Sequence, residues 1–322
     1  MHAADLQEPS VPGTPTSHAS RPSTWLIVSC LLAVYIIWGT TYYAIKVGID
    51  GMPAFFMVGT RFVAAGLILL SWSVLRGQPL PTRRQWGNAA LMGFLLLVIA
   101  NGGVCVAEHW ISSGATVALI SVVPLATALW SGLFGEWPRR LEWIAIAIGG
   151  LGAAVMLMGR DLQASTAGTL IILLGTLSWS FGSVLARRLD LPRGAAGFGA
   201  EMLTAGIMGF LVSAALGEHG SFVQPAHVWT AWAYLVVLGS VVAFSAYRYL
   251  VEHVSPTLAS TYAYVNPPVA LLTGWWLGGE LFSRYLLFGL PVVLGSVAFQ
   301  AWSHTRVTNT SSGSASAAVA RS

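Results

Sequence analysis

Ten apolar runs of seventeen to twenty-three residues follow one another between Trp25 and Ser303, each matching the ~20 residues a helix needs to cross ~30 Å of hydrocarbon. Hydrocarbon offers no water to bond the backbone, so a run of this length reads as an α-helix that satisfies its own peptide groups. The expected spans are 25–45, 54–75, 87–107, 113–134, 143–159, 167–186, 195–216, 228–247, 256–278 and 285–303. Only 9% of the 322 residues are charged, against roughly 25% in a soluble domain, and 55% are hydrophobic. The sequence therefore reads as an all-α membrane protein with ten transmembrane helices. Its fifth run, WIAIAIGGLGAAVMLMG, is the shortest, and the EWPRRLEW break sets it off from the fourth.

Residues 1–24, rich in Pro, Ser, Thr and Ala without a charged-then-apolar leader pattern, read as a disordered tail, as do residues 305–322. Cys30 and Cys105 both fall inside apolar runs, which suggests neither a disulfide framework nor a metal site, and no cofactor is expected. The net charge of +4 reflects orientation and not a nucleic-acid partner. With the amino terminus inside, the loops hold nine Lys and Arg on the cytoplasmic side and three (Lys46, Arg160 and Arg284) on the other. Cytoplasmic loops gather Lys and Arg, so both termini are expected inside.

The chain also matches itself. Shifted by 144 positions without a gap, Glu108 and His109 fall on Glu252 and His253, Pro124 on Pro268, Gly135 and Glu136 on Gly279 and Glu280, and Arg140 on Arg284. Slightly different offsets relate Trp38 and Lys46 to Trp179 and Arg187, and GTRFVAAG to GAEMLTAG. Spans one to five (25–160) thus mirror spans six to ten (167–304). Five crossings per half send the second half in from the opposite side, which predicts two inverted five-helix repeats around a shared central site.

The motifs YIIWGTTYYAIKVG, GTRFVAAGLILL, an AEH ahead of a Pro-interrupted helix, and TYAYVNPPVALLTGWWLGGE together resemble the drug/metabolite transporter superfamily, EamA type. The resemblance covers residues 25–304. It implies ten helices in inverted repeats, a central cavity, and export or exchange of small metabolites, often amino acids or related compounds, at the bacterial inner membrane. It names no substrate.

Broken helices at repeat-related depths point to a transporter's binding site. Pro124 is expected to free the carbonyl of Ile120, and Pro267 and Pro268 those of Ala263 and Tyr264. Ser121 lies beside the first break, and Tyr262, Tyr264 and Asn266 beside the second; their aromatic faces and hydrogen-bonding groups suit an amphiphilic organic solute. WGTTYY sets Trp38, Thr41 and Tyr42 on one helical face, with Trp179 and Ser183 as repeat mates. Each has a plainer reading: proline kinks improve packing, Trp and Tyr anchor at interfaces, and Ser and Thr join helices. Asn101 maps onto Ser245; cavity lining is expected of the first and packing of the second.

Arg61 stands inside the second run and Glu201 at the equivalent position of the seventh. Inversion places them toward opposite membrane faces, ~12 Å apart in depth, which argues against an ion pair. Arg61 is expected to bind a substrate carboxylate or freed carbonyls, and Glu201 to be its inner counterpart and a candidate proton carrier; the alternative, weighing more for Glu201 than for Arg61, is that both are structural struts satisfied by neighbouring helices. Glu108, His109, Glu136, Glu252, His253 and Glu280 fall at span ends and read as solvated turns.

Other classes fit less well. There is no GxxxxGK[ST] around Lys46, the only lysine, and no HExxH, and the histidines lie in tails or near span ends. A channel and a membrane receptor or scaffold remain as alternatives to a carrier. The expected partners are a small-molecule substrate, the bilayer and protons, in a monomer or weak homodimer.

Overall fold

The computed structural model describes residues 23–111, 116, 119–158, 165–192, 194–278, 285, 288–289 and 291–299. The expected tails lie outside the described residues except for Ser23 and Thr24, as do Arg160, Gly279, Glu280 and Arg284. The described residues are helical, with α1 Thr24–Ile49, α2 Ala54–Leu75, α3 Arg83–Ala107, α4 Val123–Leu133, α5 Arg140–Leu157, α6 Thr166–Leu185, α7 Ala195–Ala215, α8 Ala226–His253, α9 Pro256–Ala259 and α10 Tyr262–Gly278. Residues 291–299 are helical as well. Six of these helices, α1, α2, α3, α6, α7 and α8, are long and apolar enough to cross a membrane.

Local chemistry sets several boundaries. Thr82 opens α3 with a capping box: its hydroxyl accepts from Gln85 N while the Gln85 side chain accepts from Thr82 N. Ser165 accepts from Gly168 N to start α6, and Ser255 from Leu258 N to start α9. Gly77 and Gly217, at φ 70° and 68°, turn the chain just past α2 and α7 in a conformation that excludes most side chains. Glu218, the next residue, accepts from the backbone N–H groups of Phe55 and Phe56, so the end of α7 caps the start of α2.

At the centre of the bundle α2 and α7 touch backbone to backbone, and small residues permit it. A Cβ on Gly66 would lie 2.6 Å from Leu203 N, and one on Gly206 would lie 2.5 Å from Val63 N. The pair is antiparallel, because Val63 faces Gly206 while Leu70 faces Gly199. It is also reciprocal: Gly59 meets Gly206 as Gly66 meets Gly199. Two further helices carry matching irregularities, since α3 widens into a π-helical stretch at Gly93–Asn101 and α8 does so at Leu235–Val242.

The expected break in the fourth run is present, with the chain turning at Ser121 and Val122 and Pro124 in the first turn of α4. The ninth run differs. It turns at Ser260 and Thr261, between α9 and α10, and α10 continues helically through Pro267 and Pro268. Ser121 Oγ donates to Ala263 O at 3.5 Å, a weak bond to a carbonyl that Pro267 leaves without its helical donor.

Candidate functional site: a central polar and aromatic cavity

A cavity of about 640 Å³, its mouth included, opens where helices of both halves converge. α1 contributes Trp38, Thr41, Tyr42 and Ile45; α2 contributes Arg61; α3 contributes Ala100, Asn101 and Val104. The break before α4 supplies Ile120 and Val123, and α6, α8 and α10 supply Thr176, Trp179, Phe244, Tyr262 and Asn266 among others.

Arg61 is 1% exposed, yet its guanidinium borders this space. Nε donates to Ser240 Oγ at 2.9 Å and Nη1 to Asn101 Oδ1 at 3.3 Å. Both acceptors belong to the π-helical stretches, and Ser240 is itself fixed by donating to Leu235 O at 2.9 Å. Gly239 leaves room for the approach, since a Cβ there would stand 3.2 Å from Arg61 Nη2 and 3.1 Å from Thr41 Cγ2. Among the described residues no carboxylate reaches ion-pair distance of Arg61. A buried cation is thus held by neutral acceptors, its charge uncompensated beside a cavity.

Beside it lies an aromatic cluster around Trp38, whose ring centroid is 5.3 Å from that of Trp179 and 5.0 Å from those of Phe244, Tyr247 and Tyr262. Most of these contacts are edge-to-face, a favourable quadrupole arrangement. The two repeat-related indoles differ in bonding. Trp38 Nε1 donates to Gly239 O at 3.2 Å, whereas Trp179 Nε1 meets no acceptor at full hydrogen-bond geometry among the described residues and has only the Tyr247 and Tyr262 hydroxyls as weak polar neighbours. Thr176 Oγ1 and Asn266 Oδ1, on two other residues of the cavity wall, are also buried without a hydrogen-bond partner among the described residues. Polar atoms left without partners on residues that line a cavity are groups a polar solute can satisfy when the wall adjusts around it.

Of the residues expected from sequence, Trp38, Thr41, Tyr42, Arg61, Asn101, Trp179, Tyr262 and Asn266 lie on the wall, and the others lie elsewhere. Ser121 and Pro124 belong to the break beside it. Ser183 accepts from Tyr247 OH and donates to Trp179 O, both at 2.8 Å, so it braces the aromatic cluster from behind. Tyr264 turns away and donates to Ile146 O at 2.9 Å, and Pro267 lies inside α10.

Glu201 is 3% exposed and accepts from Arg248 Nη1 at 3.4 Å. Arg61 is level with position 208 in the α2 and α7 register, seven residues or ~10 Å from Glu201 along the helix. The two charges do not meet. Ser245, expected at a packing contact, is exposed and donates to Val241 O of its own helix at 2.6 Å. Glu108, expected in a solvated turn, has both carboxyl oxygens buried. Thr176 and Phe244 were not expected; Thr176 stands one turn before Trp179, a spacing that signals a shared face.

Membrane-length apolar helices packed around one such chamber define a polytopic α-helical membrane protein. The description of an EamA-like transporter family matches twice, over residues 25–158 and 166–302. The chain is 43% identical over 272 residues to the uncharacterized inner membrane transporter YedA of Escherichia coli (strain K12), covering 84% of this chain and 89% of that one. It is 25% identical over 265 residues to a probable terminal-alkyne amino-acid exporter of Streptantibioticus cattleyicolor, covering 78% and 85%. A solved crystal structure shares the fold with a TM-score of 0.74 at 18% identity, covering 88% of this chain and 99% of that one. The chain belongs to the EamA-like transporter family of the drug/metabolite transporter superfamily.

Proposed function

We propose that the protein is a secondary carrier that exports or exchanges small amphiphilic metabolites bearing a carboxylate, amino acids or close relatives, by alternating access across the bacterial inner membrane with both termini cytoplasmic. The observation that carries this reading is Arg61, a buried cation with no counter-ion among the described residues, on the wall of a cavity shared by both halves. A solute carboxylate supplies the missing charge through a charge-assisted bond. Asn266 Oδ1 then accepts from an ammonium or hydroxyl, and the Trp38, Trp179 and Tyr262 faces enclose an apolar body. The amino-acid exporter among the relatives supports the same class.

The reciprocal contact of α2 with α7, and the paired π-helical stretches, support two inverted halves that rock about this site. The test is counterflow in proteoliposomes loaded with a panel of amino acids and their N-acylated and decarboxylated analogues. Saturable exchange of acids and none of the decarboxylated amines is expected. Non-saturating flux of both sets marks a channel, and flux of neither marks a receptor or scaffold.

A further inference from the structure

The equivalent Glu–His pairs of the two halves have different surroundings. In the second half Glu252 accepts from Arg248, one helical turn earlier, and the same arginine reaches Glu201. In the first half the position one turn before Glu108 is Val104, so Glu108 has no such arginine. Both its carboxyl oxygens are buried, the exposed part of the residue being its remaining atoms, and neither meets a hydrogen-bond donor among the described residues. A buried anion left in that state is among the costliest arrangements a fold can hold; a buried neutral acid is not.

The titratable groups around it are identifiable among the described residues. From α1, Lys46 and Tyr42 lie within electrostatic reach, and from its own helix Cys105, whose surroundings also feel Arg61 of α2 and Glu218. His109, the next residue, is exposed. Val104 lines the cavity one turn before Glu108 on the same face, and Tyr42 lines it from α1. Glu108 thus lies one helical turn past one cavity-lining residue and within electrostatic reach of another, so a movement of α1 against α3 that lets water past Val104 and Tyr42 would hydrate the carboxyl.

We propose that Glu108 is a proton-binding site of this protein: it holds a proton while this end of the cavity is dry and releases it to water when the end opens. Glu201 differs in that Arg248 approaches it at 3.4 Å while also bonding Glu252, whereas Glu108 has no such arginine. Just beyond the last residue of α3, burial pushes the Glu108 carboxyl up to about 8, with Lys46 acting in the opposite sense. The inference gives the carrier reading its coupling group and rests on that reading only for what the proton drives.

The experiment is an infrared titration of the full chain in liposomes without any solute, followed by transport. A protonated-carboxyl band that disappears with a midpoint near pH 8 is expected in the parent and in Glu201→Gln, and its loss in Glu108→Gln. Lys46→Gln, which keeps the carboxyl, is expected to move the midpoint upward. Persistence of the band in Glu108→Gln, its absence from the parent at pH 6, or an unmoved midpoint in Lys46→Gln overturns the proposal. In vesicles given radiolabelled neutral amino acids, the ratio of pH-gradient-driven to counterflow uptake is expected to fall at least tenfold in Glu108→Gln; an unchanged ratio also overturns it. If no amino acid enters by either route, the substrate reading fails and the titration alone decides the role of Glu108.

Discussion

Arg248 holds Glu201 at 3.4 Å while donating from Nε to Glu252 on its own helix, so one guanidinium serves a carboxylate that is buried and another that is half in solvent. The buried member depends on the arrangement far more than the exposed one. Removing Arg248 leaves Glu201 at 3% exposure with either an unpaired charge or the cost of taking up a proton, whereas Glu201→Gln removes the charge that needed pairing. Arg248→Gln is expected to cost ~3–5 kcal/mol. The double variant Arg248→Gln, Glu201→Gln is expected to recover much of that loss in thermal unfolding of the detergent-solubilised protein. Equal losses in the single and double variants would show that the arginine matters for something other than Glu201.

Arg61 gives a different pattern, because its bonds run to neutral acceptors. Arg61→Lys keeps charge but cannot reach Ser240 and Asn101 with a two-pronged geometry, and Arg61→Gln loses the charge. Loss of one charged hydrogen bond, ~1.5–3 kcal/mol, corresponds to a rise of ~10- to 100-fold in the solute concentration for half-maximal counterflow in Arg61→Gln. Folding is expected to survive, since the variant removes an uncompensated buried cation. A variant with unaltered half-saturation and lowered thermal stability makes Arg61 a strut.

The two repeat-related tryptophans separate stability from binding. Trp38→Phe breaks the bond to Gly239 O and is expected to cost ~1 kcal/mol of stability. Trp179→Phe deletes a donor that meets the Tyr247 and Tyr262 hydroxyls only weakly, so its stability is expected to change less than that of Trp38→Phe, while solute half-saturation rises several-fold. Melting curves and counterflow on the same preparations read both effects. A Trp179→Phe protein less stable than Trp38→Phe contradicts the assignment.

How far the sequence reaches is visible at particular residues. The glycines of GTRFVAAG and GAEMLTAG were legible as a repeat, and they are the surfaces through which α2 and α7 meet. Arg61 was legible because a charge in an apolar run needs a reason, and Pro124 because it breaks a helix locally. The turn of the ninth run was not. Pro267 and Pro268 looked like the break, but a neighbouring hydroxyl from Ser121 takes up the Ala263 carbonyl, and the turn settles where Thr261 shares a 2.6 Å hydrogen bond with Tyr35 of α1. That choice belongs to tertiary contacts, as do the π-helical stretches that bring Asn101 and Ser240 to Arg61. Glu108 misled for the same reason: a span end reads as wet until α1 covers it.

The close approach of α2 to α7 sets a steric test. A methyl on Gly66 meets Leu203 N at 2.6 Å and Gly199 O at 2.9 Å, backbone atoms that cannot rotate aside, whereas a methyl on Gly150 meets nothing within 4 Å. Gly66→Ala is expected to cost ~1–3 kcal/mol through helix displacement, while Gly150→Ala is neutral or slightly stabilising through helix propensity. The monodisperse fraction after heating distinguishes them. Equal behaviour of the two variants means that α2 and α7 are not in backbone contact in the membrane.

Glu108 also makes stability depend on pH with a defined sign. Its carboxyl is held near 8 by burial, against 4.5 for an ordinary glutamate, so between those values the folded chain keeps a proton that the unfolded chain has released. Stability from this group is therefore complete below pH 4.5, declines as pH rises through the window, and is lost above about 8. The measurement is the difference in unfolding temperature between the parent and Glu108→Gln at a fixed scan rate, because Gln stays neutral and all other titrating groups cancel. The parent is expected to lose ground against Glu108→Gln steadily across that range and to level off beyond it. A difference that is flat from acid to alkaline pH, or that moves in the parent's favour as pH rises, means the carboxyl is ionised in the folded protein, and Glu108 then has a partner that stabilises its charge.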